Sequence, residues 1–203
     1  TDADFNVAVG VSALGADTLG SQSVAIGNSA LGAQNFTTAT NSLNTAVGFQ
    51  AGAAVTTGIR NTLIGGQAGD ALTDADFNVA VGDLALGADT LGSRSVAIGT
   101  GALLVQNFTT ATDSNNTAVG FNSGVAITTG IQNTFVGGAT GDALTDADLN
   151  VAVGYAALTS DTLGSKSVAI GAGALNAQNF TTATDTYNTA VGHVAGNAIT
   201  TGE

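Results

Sequence analysis

The sequence predicts an all-β chain that winds into a parallel β-solenoid, with two short strands in each coil of 17 to 21 residues. Three observations lead to this fold class. They are a long internal period, a shorter unit nested within it, and an alternation of large and small residues at the start of every unit. We expect residues 1–203 to form one repetitive β-roll domain.

The long period is 72 residues. "TDADFNVAVG" starts at residue 1 and again at residue 73, and "TDADLNVAVG" starts at residue 145, so the periods cover 1–72, 73–144 and an incomplete 145–203. Each full period contains four units. In the first period they start at Asn6, Ser23, Asn44 and Asn61, with lengths of 17, 21, 17 and 17 residues. Eleven such units, numbered coils 1 to 11, follow one another along the chain.

Every unit begins with the pattern of a short strand. Counted from the first residue of the unit, position four is Val or Ile, position two is Val or Thr, and position three is Ala except at Leu63 and Phe135. This alternation indicates a β-strand. Position five is always Gly, which ends the strand at a turn. A second short run, such as "VTTG" at 55–58, predicts a second strand and a return loop.

One coil cannot fold alone. Ordering it costs about 1–2 kcal/mol per residue in backbone entropy, and its Val, Ile and Leu side chains cannot be buried within it. Stacking the coils about 4.8 Å apart turns each strand into a rung of a continuous parallel sheet, in a rod about 50–55 Å long. Position six then points outward, which explains why Phe49, Phe121 and His193 replace one another there.

The rung itself carries a family resemblance. "SVAIG" at 23–27, 95–99 and 167–171 resembles the head repeats of trimeric autotransporter adhesins of the YadA type. "NTAVGFQAG" at 44–52 is similar to related repeats in phage tail-fibre proteins. The resemblance implies a left-handed parallel β-roll, three identical chains side by side around a threefold axis, and an attachment surface at a cell or virion exterior. The units here are longer than the coils of those heads.

Self-association is expected on physical grounds as well. A thin roll with Ala and Gly on one face encloses little interior of its own, so a second apolar face needs a partner. The periodicity indicates a homo-oligomer, and the resemblance supplies the number three. An unidentified surface receptor is the other expected partner.

Charge and composition exclude several classes of partner. The formal net charge is −12 and the only basic residues are Arg60, Arg94 and Lys166, which argues against nucleic acid and anionic membrane as partners. No apolar run approaches the roughly 20 residues of a membrane span, so we expect no membrane insertion by this segment. Because the chain has no Met, and therefore no initiator residue, we expect a piece of a longer protein.

We expect no enzymatic activity. A catalytic pair needs an environment that breaks the repeat, and no such constellation is apparent. The single histidine, His193, occupies the variable outward position six and is interpreted as a surface residue. No cofactor is expected, apart from the calcium ion considered next.

The acidic loops contain a partial calcium motif. Oxygen-bearing side chains alternate as they do in the first half of a calcium loop, but the Gly at loop position six and the acidic residue at position twelve are missing. We favour a solvated acidic loop that keeps the rod soluble, with structural Ca²⁺ as the alternative. The candidate ligands are Asp74, Asp76, Asn78, Asp146, Asp148 and Asn150.

Position thirteen forms a threonine column that two interpretations fit. We favour hydroxyl ladders that satisfy one another along the stack, and a flat ice-binding face is the competing interpretation. Asn35, Asn107 and Asn179 interrupt the column every fourth coil, which counts against a flat face. The threonines are Thr18, Thr56, Thr73, Thr90, Thr128, Thr145, Thr162 and Thr200.

The 21-residue units carry a longer loop that begins with "NFT", a glycosylation sequon. We favour a plain loop with its Phe tucked against the roll. Longer protrusions are where solenoids carry recognition, so these loops are the candidate recognition surface. Their residues are Asn35, Phe36, Thr37, Asn107, Phe108, Thr109, Asn179, Phe180 and Thr181.

These observations favour a structural and adhesive module of an extracellular adhesin or a viral tail fibre, located at a cell or virion surface. A self-assembling extracellular filament or sheath subunit is the first alternative, and an ice-binding β-solenoid is the second.

Overall fold

A computed structural model describes residues 3–202, which form a parallel β-solenoid of eleven coils without a helix. Each coil contributes one three-residue strand, and neighbouring coils pair in parallel to give a single eleven-stranded sheet. Its strands are β1 (Val7–Val9), β3 (Val24–Ile26), β5 (Thr45–Val47), β6 (Thr62–Ile64), β7 (Val79–Val81), β9 (Val96–Ile98), β11 (Thr117–Val119), β12 (Thr134–Val136), β13 (Val151–Val153), β15 (Val168–Ile170) and β17 (Thr189–Val191).

The register is the one that the unit alignment predicts. Ala80 in β7 lies opposite Ala97 in β9, and Val81 lies opposite Ile98. The longer coils do not shift it, because their extra residues lie outside the strands: Ala97 in coil 6 is opposite Ala118 in coil 7. The predicted stacking of like residues in columns is confirmed.

The second strand is present in only part of the stack. Two-residue strands pair two by two at three places: β2 (Gly20–Ser21) with β4 (Thr40–Asn41), β8 (Gly92–Ser93) with β10 (Thr112–Asp113), and β14 (Gly164–Ser165) with β16 (Thr184–Asp185). These strands belong to coils 1, 2, 5, 6, 9 and 10. The prediction of two strands in every coil is therefore wrong for coils 3, 4, 7 and 8 and for the described part of coil 11.

Side-chain oxygens replace the missing ladder in those coils. The backbone N of Ile59 donates to Oδ1 of Asp76 at 2.8 Å, and the backbone N of Asp76 donates to Oγ of Ser93 at 2.9 Å. Carboxylate and hydroxyl groups thus accept hydrogen bonds that a neighbouring strand would otherwise accept. The segment stays attached to the stack without forming a strand.

The interior is lined by the small residues rather than by the β-branched ones. Ala80 and Ala97, at position three, are fully buried, whereas Ile98 at position four remains 38% exposed. Ala at position eight and Leu at position nine, such as Ala102 and Leu103, complete the core. The coil is therefore so narrow that Ala fills its sheet side.

The two large residues at position three fit because neighbouring glycines make room. A Cβ atom added to Gly69 would lie 2.7 Å from Cδ2 of Leu63, and one added to Gly141 would lie 2.7 Å from Cε1 of Phe135. Six coils have Leu where these coils have Gly, and coils 3, 7 and 11 have Gly there as well. The core volume is thus conserved along the rod while the side chains that supply it change.

A column of buried Asn side chains links neighbouring coils through hydrogen bonds. Oδ1 of Asn61 accepts a hydrogen bond from the backbone N of Asn78 at 2.9 Å, and Nδ2 of Asn61 donates to the carbonyl of Ala75 at 2.8 Å. Asn78 repeats this arrangement with Ser95 and Gly92. The side chain of Asn at position one therefore joins its own coil to the next and satisfies backbone groups that a short strand leaves free.

Candidate functional site

The outward side of the eleven-stranded sheet is an apolar face open to solvent. We define the outer sheet face as the side chains at positions two and four of all eleven strands, which are Val, Ile or Thr throughout. In the middle of the rod Ile64, Ile98 and Val136 stay 38–39% exposed, although neighbours flank them on both sides. The face runs the length of the rod, about 50 Å, with about 7 Å between its two columns.

One column of side chains borders this face just before each strand. We define the leading edge as the residues that precede position one: Phe5, Gln22, Leu43, Arg60, Phe77, Arg94, Asn115, Gln132, Leu149, Lys166 and Tyr187. All eleven have a positive φ, between 51° and 64°, which is uncommon for residues with a side chain. All three basic residues of the chain stand in this column.

A second column borders the face after each strand. We define the trailing edge as the residues at position six: Val11, Asn28, Phe49, Gly66, Asp83, Thr100, Phe121, Gly138, Tyr155, Ala172 and His193. Phe49, Phe121, Tyr155 and His193 are exposed, which confirms that position six points outward.

The basic residues of the leading edge are arranged around aromatic rings. The Cζ atoms of Arg60 and Arg94 lie 5.3 and 5.6 Å from the ring centre of Phe77, within cation–π range. Nε of Arg94 also lies 3.0 Å from Oδ1 of Asp113. The leading edge thus carries all three basic side chains of an otherwise acidic rod, and Arg94 is paired with an acidic residue there.

Lys166 repeats the arrangement near the end of the rod. Its Nζ lies 2.5 Å from Oδ2 of Asp185 and 5.3 Å from the ring centre of Tyr187. The hydrogen bond with Asp185 raises the pKa of Lys166, and it lowers the pKa of the Asp185 carboxyl. Because both groups are exposed, this pair orients side chains rather than stabilising the fold.

The first set of predicted calcium ligands is spread over three surroundings. Asp74 is exposed and its Oδ1 accepts from Oγ1 of Thr57 at 2.6 Å. Asp76 is half-buried, and desolvation raises the pKa of its carboxyl. Asn78 is fully buried in the amide column. The structure therefore engages each of the three in a separate hydrogen-bonding role.

The second set repeats this arrangement. Oδ1 of Asp146 accepts from Oγ1 of Thr129 at 2.6 Å, Oδ1 of Asp148 accepts from the backbone N of Ile131 at 2.7 Å, and Asn150 belongs to the amide column. Across residues 3–202, no three His, Asp or Glu side chains converge in a way that could hold a metal ion. Calcium binding stays a prediction.

The long loops keep their Phe inside and their polar residues outside. Phe36, Phe108 and Phe180 are 5–6% exposed, as the tucked-loop interpretation predicts. Asn35, Thr37, Asn107, Thr109, Asn179 and Thr181 are exposed. The three loops lie one period apart along the chain, and these exposed Asn and Thr side chains are uncharged, whereas Asp113 and Asp185 at the ends of two loops carry a charge.

The threonine column is satisfied along the stack, but by other groups than we predicted. Oγ1 of Thr73 donates to the carbonyl of Thr90 at 3.0 Å, and Oγ1 of Thr90 donates to Oδ1 of Asn107 at 3.0 Å. Hydroxyls therefore bond to the next coil's carbonyl or amide oxygen rather than to each other. Asn at position thirteen continues the column instead of breaking it.

The leading edge is the feature that sequence analysis missed. A positive φ at Leu, Phe or Arg leaves no trace in composition, since glycine is the usual marker of that conformation. One signal was available: aligned by unit, Arg60, Arg94 and Lys166 fall in the same column. That coincidence points to an edge with a shared role.

Comparison with protein-family models, curated proteins and solved structures finds no match for this chain. The described residues contain no helix that could cross a membrane. Within the same residues, the surface has no pocket. The candidate site is therefore an extended surface, made of the outer sheet face and its two edges.

Proposed function

We propose that this chain is a structural and adhesive module of an extracellular adhesin or a viral tail fibre. In this role copies of the rod associate through the outer sheet face and present an attachment surface at a cell or virion exterior. The observation that carries the proposal is the continuous column of Val and Ile at position four, which runs through all eleven coils and whose side chains are exposed in seven of them and half-buried in four.

The size and regularity of the outer sheet face support self-association. Large exposed apolar patches on soluble proteins commonly mark an interaction site, and this one is uninterrupted by charged residues at positions two and four. A second copy offers a surface with the same coil spacing. A homotrimer wound as left-handed rolls, the arrangement implied by the resemblance, would cover the face of every copy.

The polar loops of the rod are suited to receptor contact. The exposed residues of the acidic loops and of the long loops at 35–41, 107–113 and 179–185 are mostly polar, and Asp113 and Asp185 at the ends of two long loops contact the leading edge. With the apolar face covered by other copies, these loops would form the outer surface of the assembly. We place receptor contact there, and a non-catalytic role follows from an extended surface of this kind.

Sedimentation of matched variants tests the proposal. Ile98→Glu puts a charge on the outer sheet face, and Val105→Glu puts the same charge on the same coil but off that face. The two side chains are similarly exposed, at 38% and 41%. We expect the wild type and Val105→Glu to sediment as one oligomer, three chains by the resemblance, and Ile98→Glu as a monomer. A wild type that stays monomeric up to high concentration rules the proposal out.

The alternatives predict other readouts in the same samples. A filament or sheath subunit would give species that lengthen with concentration rather than one closed oligomer. Ice binding would give thermal hysteresis that is lost when Thr56 and Thr128 are replaced by bulky residues. The hydroxyls of both residues donate to carbonyls of the next coil, which weakens that alternative.

A further inference from the structure

Two charged residues at opposite edges of the outer sheet face form no salt bridge among residues 3–202, although the carboxyl of Asp76 in the same chain is attracted to Arg60 and Arg94. The salt bridges of residues 3–202 are Arg94 with Asp113 and Lys166 with Asp185. Arg60 on the leading edge and Asp83 on the trailing edge are both exposed and take part in neither. Strand β7 and its flanking residues separate them, so they cannot meet within one chain.

Their heights along the rod nevertheless match. Asp83 belongs to the coil whose leading-edge residue is Phe77, and the cation–π contacts place Arg60 and Arg94 on either side of that ring. With coils about 4.8 Å apart, a carboxylate level with Phe77 is within one coil spacing of both guanidinium groups. The trailing edge of one copy therefore carries a negative charge at the height where the leading edge of another holds two of its three basic residues, of which Arg94 is also paired with Asp113.

Side-chain sizes at the two edges are also complementary. In four coils a long polar or basic leading-edge residue has a small trailing-edge counterpart in the same coil. The pairs are Arg60 with Gly66, Arg94 with Thr100, Gln132 with Gly138, and Lys166 with Ala172. In two other coils, leading-edge Leu43 and Leu149 have the aromatic counterparts Phe49 and Tyr155. Residues at opposite edges do not touch within one chain, so folding of that chain does not require this match.

The symmetry that relates two copies determines whether the complementary residues of the leading and trailing edges can meet. Rotation about an axis parallel to the rod places the leading edge of one copy against the trailing edge of the next, at the same height. A twofold axis perpendicular to the rod makes the two copies antiparallel and places the leading edge of one against the leading edge of the other. The basic residues of the two copies then lie along the same edge of the interface. Only the first arrangement opposes Asp83 to the arginines, and closure into a ring forbids any axial shift.

We propose that copies of this chain dock in parallel and without axial offset, with Asp83 of one copy seated between Arg60 and Arg94 of the next. The proposal rests on the proposed self-association, whose threefold axis already implies parallel chains without axial offset, and it adds the ionic contact between the two edges that holds them in that register. The apolar face supplies most of the attraction, and the edge residues select one alignment among the many that a face repeating at every coil would allow.

Cysteine cross-linking tests direction and register, because the natural chain has no Cys. Singly substituted Asp83→Cys and Phe77→Cys chains are mixed, co-assembled and oxidised. We expect a disulfide between the two variants and little linkage of Phe77→Cys to itself. Self-linkage of Phe77→Cys without the mixed product would show an antiparallel assembly and overturn the proposal.

Charge exchange gives a second readout that does not depend on disulfide geometry. Asp83→Lys should weaken association about five- to tenfold at low salt, and the added Arg60→Asp should restore part of it. Asp146→Lys makes the same charge change in an exposed acidic loop and should leave association unchanged or stronger, because it lowers the net negative charge.

The two levels of the proposal fail separately. A monomeric wild type would overturn self-association and, with it, the register. A wild-type oligomer that is indifferent to Asp83→Lys and gives no mixed disulfide would overturn the register alone.

Discussion

Nε2 of Gln106 lies 2.6 Å from Oδ2 of Asp89 inside the solenoid, joining the side chains of two successive coils. Both residues are fully buried. Oδ1 of Asp89 accepts from the backbone N of Gly92 at 3.0 Å and of Phe108 at 3.1 Å. Asp161 with Gln178, and Asp17 with Gln34, repeat the contact at 2.6 Å in the other periods. The second and third periods thus each bury one Asp whose donors come partly from the long coil, whereas Asp17 of the first period is half-buried.

Replacing Gln106 by Leu should destabilise the rod. The substitution removes a donor from a buried carboxylate, and hydrogen bonds to charged groups contribute about 1.5–3 kcal/mol. We expect the free energy of unfolding to fall by about 2–3 kcal/mol in urea denaturation. Gln34→Leu is the matched control, because its partner Asp17 is only half-buried and can regain water. Equal losses of unfolding free energy in Gln106→Leu and Gln34→Leu would show that burial of the Asp carboxylate does not determine the cost.

Asp89 should also make stability depend on pH. Desolvation raises the pKa of its carboxyl above the ordinary value of 3.8. In the window above 3.8 the folded chain holds a proton that the unfolded chain has released, so stability falls as the pH rises through that window. Asp89→Asn removes this dependence while other acidic groups still titrate.

The measurement is the difference in melting temperature between wild type and Asp89→Asn as a function of pH. We expect the wild type to gain relative to the variant as the pH is lowered from 7 towards 4. A difference that stays constant, or that changes in favour of the variant, would show that burial does not raise this pKa.

Strand β7 shows how much of the fold the sequence could predict. The alternation in Val79, Ala80 and Val81, and its repetition, predict a strand, its neighbours and its register. The inward face could not be predicted from hydrophobicity, because Val is more apolar than Ala and yet Ala80 is the buried residue. The narrow width of the coil determines that Ala rather than Val faces inward. That width depends on residues in the left-handed backbone conformation, such as Leu84 and Leu86, and this conformation has no signature in the sequence.

The candidate site divides in the same way. Position six was predicted to point outward from its variability, and the tucked Phe36 followed from its setting in a polar loop. The leading edge depends on backbone conformation, so neither its exposure nor the stacking of Arg60 on Phe77 could be predicted. Contacts between coils require the three-dimensional stack, which the order of residues encodes only after alignment by unit.

Two adjacent glycines should respond very differently to substitution. Gly137 has a φ of +139°, and a Cβ there would lie 2.7 Å from the backbone C of Gly154 in the next coil. The Cβ of an alanine at Gly138 would have Cδ2 of Tyr155 as its nearest neighbour, at an ordinary 3.6 Å. We expect Gly137→Ala to lower the melting temperature strongly and Gly138→Ala to change it little. Similar melting temperatures for both variants would contradict the close coil contact.

The predicted calcium site can be tested by adding and removing Ca²⁺. The three candidate ligands Asp74, Asp76 and Asn78 already accept hydrogen bonds from the protein. We therefore expect the melting temperature to be the same in EDTA and in millimolar Ca²⁺. A rise with Ca²⁺ that Asp74→Asn abolishes would instead establish the calcium site predicted from the sequence.

Phe135 should be the most sensitive position of the core. It is fully buried at position three, where nearly every other coil has Ala, and Gly124 and Gly141 leave space for its ring. Phe135→Ala should therefore leave a cavity that no neighbour can fill, at a cost of about 3–5 kcal/mol in the free energy of unfolding.

Phe121 is the matched control for that experiment, because it is 63% exposed on the trailing edge. Phe121→Ala should change the free energy of unfolding by about 0.5 kcal/mol or less when both variants are compared at the same protein concentration. Adding Gly141→Ala to Phe135→Ala should recover part of the loss, since the new methyl group would enter the space vacated by the ring, although the φ of +57° at Gly141 limits the recovery. If Phe135→Ala proved as mild as Phe121→Ala, the ring would not be filling the glycine-lined space in the core.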